Sequence, residues 1–297
     1  MSVSPSAFAR SIAPLLLGVI FASPLYGVAV AQGIAYYRNY RRDPKFVKYS
    51  IALLLLIDSA HTFSLANATI VWYLRAEPDA QYTIGMLVST FLSYVTTAFV
   101  QSAFTLRVWI LYGKRWLIPS ILGIFVLFQL VGGLGMSSNM VATGQLSGMH
   151  DTISIGFGCL ELVSAMICDI MISSTLVYFL RTSRSGIKTS DSLIDKLIVY
   201  VIGIGALSSV FALLNLLTWL ILPDDVIFVI FHSIISKLYV NSLLVTLNSR
   251  QRLRHDLNSG TGVGMLCLLL HLTIAYHQGI DSTKQGGAIA LSTFAAT

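Results

Sequence analysis

The residues of this chain with the greatest capacity for chemistry are ionisable side chains that interrupt apolar runs. In LLLLIDSAHTF, residues 53–63, the carboxylic acid of Asp58 and the imidazole of His61 are three residues apart. Residues at this spacing share one face of a helix. Lys237 stands in a second apolar run, far along the chain. A charge at the centre of a bilayer costs several kcal/mol, so such residues usually have a structural or functional role.

The elements that carry these residues are apolar segments of membrane-spanning length. The chain has 297 residues, of which 55% are hydrophobic and 11% charged, whereas a soluble domain has about 25% charged residues. A spanning helix needs about 20 apolar residues. Seven segments meet that length, at 12–36, 47–73, 84–112, 116–136, 153–180, 193–222 and 226–247. These features predict an all-α integral membrane bundle of seven transmembrane helices.

The charge of the connections predicts the orientation of the bundle. Cytoplasmic loops of membrane proteins are enriched in Lys and Arg. The first, third and fifth connections and the C-terminal tail are basic, whereas the other three carry acids, which predicts an outer N-terminus and a cytosolic C-terminus. This placement also explains the net charge of +6 without nucleic-acid binding. The basic residues are Arg38, Arg41, Arg42, Lys45, Lys48, Arg107, Lys114, Arg115, Arg181, Arg184, Lys188, Lys196, Arg250, Arg252 and Arg254.

We divide the chain into a short outer N-terminus (1–11), a membrane domain (12–250) and a poorly ordered cytosolic tail (251–297). A signal peptide cleaved after Ala31 is a weaker alternative, because the apolar run there is longer than usual and contains Pro14 and Pro24. The tail contains the apolar run Val263–Tyr276, which is short for a span. An interfacial helix and an extension outside the folded unit are the alternatives for that run.

Depth within the segments predicts which interior charges meet. With a rise of 1.5 Å per residue, Asp58 and Lys237 each lie roughly 16 Å from the end of their segment, near the middle of a core about 30 Å thick. His61 and His232 each lie roughly 9 Å from the outer boundary. We therefore predict an ion pair between Asp58 and Lys237, with Asn241 one turn below the lysine on the same face.

Three interpretations of this ion pair are open. It is a structural pair that fixes helix rotation, or it forms the floor of a ligand cavity or a switch, or it belongs to a proton or ion relay. The relay would include His61, since histidine titrates near neutral pH.

Segment five adds two acids, Glu161 and Asp169, whose spacing of eight residues places them on a similar face. The single deep lysine cannot satisfy three acids, so at least one is protonated, exposed to water or hydrogen-bonded. Ser173 and Ser174 are the candidate partners of Asp169. An unpaired intramembrane acid indicates a water-filled cavity. The predicted polar network is Asp58, His61, Glu161, Asp169, His232, Lys237 and Asn241.

Amides and glycines within the segments point to helix packing. Amide side chains hydrogen-bond between helices, and glycines let helices approach closely. The amides are Gln101, Gln129 and Asn215, and the glycines are Gly132, Gly133, Gly135, Gly203 and Gly205.

Four stretches carry a resemblance to a known family. They are YYRNYRRDPKFVK (36–48), LLIDSAHTF (55–63), YFLRTSRSGIKTSDSLIDKLIVY (178–200) and KLYVNSLLVTLNSR (237–250). With the seven-segment topology, they resemble the basidiomycete membrane proteins grouped as domain of unknown function 6534, over residues 10–255. The resemblance implies a fungal source and a multi-pass membrane location, in the plasma membrane or an endomembrane. It implies no activity, substrate or cofactor.

The residues support three functional hypotheses. A receptor or sensor for a small molecule fits the topology and the polar core best, although the sequence motifs of conventional G-protein-coupled receptors are absent. A small-solute or proton transporter or channel is the alternative, and a retinal protein attached through Lys237 is less favoured, because the third segment lacks an acidic counter-ion. Neither a catalytic constellation nor a metal-ligand pattern is present, so we predict no enzyme, metal or cofactor. The bilayer is the expected partner.

Overall fold

The computed structural model describes residues 5–75, 83–143, 150–182, 188–222 and 226–258. Within them the chain forms seven α-helices and no strand. These are α1 Pro5–Asn39, α2 Lys45–Arg75, α3 Ile84–Leu111, α4 Leu117–Thr143, α5 Thr152–Thr182, α6 Lys188–Ile221 and α7 Phe228–Asn258. Each contains a stretch that is long and apolar enough to cross a membrane. The predicted all-α class is confirmed for this part of the chain.

Several helices are longer than the apolar segments that predict them. Helix α4 continues past residue 136 to Thr143 because its polar residues find partners: Ser138 Oγ donates to the Gly135 carbonyl at 2.8 Å, and Asn139 Nδ2 donates to Ser154 Oγ at 2.9 Å. Helix α7 continues to Asn258, beyond the predicted start of the tail at 251. The apolar run 263–276 lies outside the described residues.

The helices form a closed bundle in chain order. Each helix packs against the next one in sequence, and α7 returns to pack along α1. Helix α3 also contacts α5 and α7, so it lies near the centre, and α2 touches α7. This arrangement brings the faces that carry Asp58 and Lys237 into the interior.

Large apolar side chains cover the outside of the bundle, whereas several charged and polar side chains lie in its interior. Asp58, Gln101 and Lys237 are fully buried, whereas Phe63 and Ile84 are 75% and 80% exposed on the outside. In lipid, backbone groups must be satisfied within helices, and charged residues face the bundle interior. The exterior therefore suits hydrocarbon, and the polar residues belong to an internal site.

Close approach of α4 and α5 depends on a glycine. A Cβ atom built at Gly132 would lie 2.6 Å from the backbone nitrogen of Glu161, so a larger residue would push the helices apart. At Gly205 a Cβ would collide with the Ser173 side chain on α5. The same atom at Gly203 would meet open space, so the predicted packing role of Gly203 is wrong.

Candidate functional site

The ammonium group of Lys237 on α7 is bound to α2. Its Nζ atom lies 2.6 Å from Asp58 Oδ1, 3.0 Å from the Asp58 carbonyl oxygen and 2.7 Å from Thr62 Oγ1. A lysine has three N–H donors, so each has an acceptor here. The centroid of the Tyr26 ring on α1 lies 5.5 Å from the same nitrogen, within the range of a cation–π interaction. The pairing predicted from depth is therefore present in the structure.

Asn241 contacts the backbone of Lys237 rather than its ammonium group. Its Nδ2 donates to the Lys237 carbonyl at 2.8 Å and to the Leu25 carbonyl at 2.9 Å. Its Oδ1 accepts from Gln32 Nε2 at 3.4 Å. Asn241 therefore fastens α7 to α1, beside the ion pair but not within it.

Asp169 on α5 is the centre of a second buried group, which we call the Asp169 cluster. Gln101 Nε2 on α3 donates to Oδ1 at 3.0 Å. Ser208 Oγ on α6 and the Tyr239 hydroxyl on α7 donate to Oδ2 at 2.6 and 2.5 Å. Three donors from three helices satisfy one carboxyl group without any cation. The cluster therefore joins α3, α5, α6 and α7.

The partners of Asp169 differ from those expected. The prediction of Ser173 and Ser174 is wrong: the Asp169 oxygens accept hydrogen bonds from side chains of other helices, and proximity in sequence on one helix does not bring a hydroxyl to the carboxyl group. The interhelical role predicted for Gln101 is confirmed. Ser208 and Tyr239 were missed, because the chain has 13 tyrosines and many serines, and depth alone does not select among them.

A cavity occupies the half of the bundle in which α1 begins, and all seven helices contribute to its lining. We call it the seven-helix cavity. The space available to the centre of a water molecule is about 40 Å³, which holds a few waters. Its principal polar and aromatic residues are His61, Tyr94, Glu161, Asn215, Trp219 and His232.

Several polar atoms of the lining have no hydrogen-bond partner among the described residues. They are His61 Nδ1, Asn215 Oδ1, Trp219 Nε1 and His232 Nε2. The Glu161 carboxyl group also lacks a partner within the described part of the chain. An unsatisfied buried polar group costs about 1–3 kcal/mol. Each atom is therefore a place for water or a ligand.

The seven predicted polar residues thus fall into separate groups. Asp58 and Lys237 form the ion pair, with Asn241 beside it, and Asp169 forms the cluster nearer the other end of the bundle. His61, Glu161 and His232 line the seven-helix cavity. His61 lies one turn from Asp58, which places the ion pair next to the cavity although neither of its members lines it. This position favours the structural interpretation of the ion pair.

Metal chemistry has no visible basis in the described residues. They contain no group of three His, Cys, Asp or Glu side chains arranged to hold a metal ion. Their two cysteines, Cys159 and Cys168, are unpaired. The polar groups of the cavity are therefore placed for hydrogen bonding and charge recognition.

The fold and site define a class: a multi-pass membrane protein whose described residues form seven helices long and apolar enough to cross a membrane, with a polar interior and a cavity to which each of those helices contributes. Comparison with known proteins adds one relationship. Residues 165–252 match a family model described as "Family of unknown function (DUF6534)". The matched range includes Asp169, Lys237 and Tyr239 but not Glu161. No curated protein and no solved structure matches the chain.

Proposed function

We propose that the protein is a membrane receptor or sensor that binds a small molecule in the seven-helix cavity. The observation that carries this proposal is the set of unsatisfied polar atoms facing a space to which every helix contributes. All seven helices line this space, so a ligand bound there can change their relative packing. Ligand sites between helices of a bundle, lined by apolar residues with a few polar groups, are a common arrangement.

The charge pattern supports an approach of the ligand from outside the cell or, in an endomembrane, from the lumen of the organelle. Basic residues are concentrated in the connections at the end opposite the cavity, and such connections are usually cytoplasmic. We therefore place the N-terminus and the cavity on the outer side. The fungal source implied by the resemblance is part of the same proposal.

The structure gives less support to a transporter. The Asp58–Lys237 pair and the Asp169 cluster lie between the cavity and the inner end, and their side chains are almost completely buried. In this conformation they fill the path that a solute would follow. A transporter would have to open this layer.

A retinal protein is also less supported, because the nitrogen that would form the Schiff base already makes three hydrogen bonds. Catalysis is not proposed either. Within the described residues, neither histidine of the cavity hydrogen-bonds to a nucleophilic hydroxyl.

A stabilisation screen tests the proposed receptor function. Purified protein in nanodiscs is heated with a library of small molecules, and compounds that raise its unfolding temperature are retested on Ser89→Phe. Ser89 is buried and lines the cavity, so the larger ring should abolish stabilisation by true cavity ligands. Ser138 is exposed, so Ser138→Phe is the matched control and should still be stabilised by cavity ligands.

Two results decide between the hypotheses. The receptor proposal predicts hits that bind the protein but are not accumulated by proteoliposomes. Saturable uptake of a radiolabelled hit, driven by an ion gradient, would instead identify a transporter. If the hits stabilise Ser89→Phe as strongly as the wild type, the cavity is not their binding site.

A further inference from the structure

We propose that the ligand of the seven-helix cavity is a small organic ammonium ion and that Glu161 is its counter-ion. This inference rests on the proposed function, and it adds the chemical class of the ligand. It follows from the balance of hydrogen-bond donors and acceptors, from the charge of the site and from its aromatic walls.

Two hydroxyl groups of the cavity, those of Ser89 and Ser233, have already used their protons. Ser89 Oγ donates to the Met86 carbonyl at 2.9 Å, and Ser233 Oγ donates to the Val229 carbonyl at 2.7 Å. A hydroxyl has one proton and two lone pairs. Both serines therefore offer only acceptor lone pairs for further bonding.

The remaining polar atoms of the lining include both acceptors and donors. Asn215 Oδ1 is an unsatisfied acceptor, and the two Glu161 oxygens accept when the acid is ionised. The cavity's histidines each provide one donor and one acceptor when neutral. Trp219 Nε1 is an unsatisfied donor. A ligand that satisfies the acceptors of this lining carries several N–H donors on one centre, and a primary ammonium group has three.

The charge of the site also favours an ammonium ligand. No ion pair to Glu161 occurs within the described residues, and the one deep lysine is engaged by Asp58. A buried carboxylate is stable only when it is paired and hydrogen-bonded. Without a partner, a buried acid takes up a proton and becomes neutral. A ligand that supplies the cation lets Glu161 ionise and completes the site, whereas an anionic ligand offers it no counter-ion.

The walls of the cavity suit the rest of such a ligand. Tyr94, Trp219 and Phe228 line it, and aromatic faces attract ammonium ions and pack against alkyl chains. The Tyr94 ring also stacks edge-on against His232 at 5.7 Å between centroids, which fixes its orientation. The small cavity favours a short alkylammonium ion over a bulky one.

A pair of probes of equal size isolates the contribution of charge. 3-Methylbutylammonium and 3-methyl-1-butanol have the same carbon skeleton, and only the first is a cation near neutral pH. We expect the wild-type protein, purified in a non-ionic detergent without amine-containing lipids, to bind the ammonium ion about ten- to a hundredfold more tightly than the alcohol.

Glu161→Gln should remove this preference and keep the size of the side chain. The matched control is Asp151→Asn, which removes an exposed acid just before α5 and should retain the preference. If Asp151→Asn loses it equally, the preference comes from the general negative charge of that end, and the counter-ion assignment is wrong.

The other outcomes are separable from the proposed function. Equal binding of both probes to the wild type, or binding of neither, overturns the ammonium proposal. The receptor proposal is then still tested by the library screen and the Ser89→Phe variant. Should Glu161→Gln fail to fold, Asn215→Leu gives a second test, since it removes an acceptor without changing charge and should weaken ammonium binding more than alcohol binding.

The ammonium group could belong to a soluble amine or to a lipid headgroup. Phosphatidylethanolamine added to nanodiscs should compete with 3-methylbutylammonium if the headgroup enters the cavity. Absence of competition assigns the site to soluble amines. The role of Glu161 is tested separately, by the loss of the ammonium preference in Glu161→Gln.

Discussion

Separating Asp58 from Lys237 tests how the centre of the bundle is held together. In Lys237→Met the carboxyl group of Asp58 stays buried without its cation, and its Oδ2 atom already lacks a partner among the described residues. Removing one member of a buried ion pair costs about 3–5 kcal/mol. We therefore expect the free energy of unfolding to fall by that amount.

Asp58→Asn should be milder. The ammonium group keeps the carbonyl oxygen of residue 58 and Thr62 Oγ1 as acceptors, at 3.0 and 2.7 Å, and the new amide oxygen can replace the carboxylate oxygen. The ammonium group loses its counter-ion but keeps its hydrogen bonds, so we expect a loss at the lower end of the range for a broken buried pair, about 3 kcal/mol. The double variant has neither charge and leaves only neutral groups unsatisfied. We expect its free energy of unfolding to fall by about 1–3 kcal/mol.

A double-mutant cycle measures the coupling between the two residues. The assay is reversible unfolding of the four proteins in mixed micelles, followed by circular dichroism. We expect a coupling energy of at least about 2 kcal/mol, in the upper part of the range for residues in contact. The exposed Asp151→Asn is the control and should change stability by less than about 0.5 kcal/mol. Additive single-variant effects, or two neutral single variants, would refute the ion pair.

Three further predictions concern the Asp169 cluster, the α4–α5 contact and the orientation. Tyr239→Phe removes the hydroxyl that donates to Asp169 and should lower the free energy of unfolding by about 1.5–3 kcal/mol; no loss would show that the hydroxyl is not needed. Gly132→Ala should destabilise the protein, because its Cβ would meet the Glu161 backbone. Gly123→Ala is the control and should not, because its Cβ would face open space. Equal effects of the two variants would contradict the close contact of α4 and α5. An epitope at the C-terminus should be stained only after cells are permeabilised, and staining of intact cells would reverse the proposed orientation.

Apolar runs predict the number and order of the helices because lipid imposes a minimum length and composition on each span. They do not predict helix ends: α4 continues into polar residues whose side chains find partners, and α7 continues to Asn258. A hydropathy boundary therefore marks where lipid ends and not where the helix ends.

The ion pair was accessible from the sequence because charges inside apolar runs are rare. Two opposite charges at one depth leave few possible partners. The Asp169 cluster was not accessible, because its donors are neutral hydroxyl and amide groups that occur on every helix. The position of Glu161 beside a cavity depends on the close approach of α4 at Gly132, which only the packed bundle shows.

The central claim is that a water-filled cavity opens to the outer side of the membrane. Thiol labelling tests this claim most directly. The three native cysteines are first replaced by serine, and single cysteines are then introduced. Ser89→Cys places a thiol in the cavity lining, and Ser236→Cys places one at a buried position outside it. A membrane-impermeant methanethiosulfonate reagent applied to intact cells should label the first and leave the second unmodified. Failure to label Ser89→Cys, or its labelling only after permeabilisation, would contradict an outward-facing ligand site.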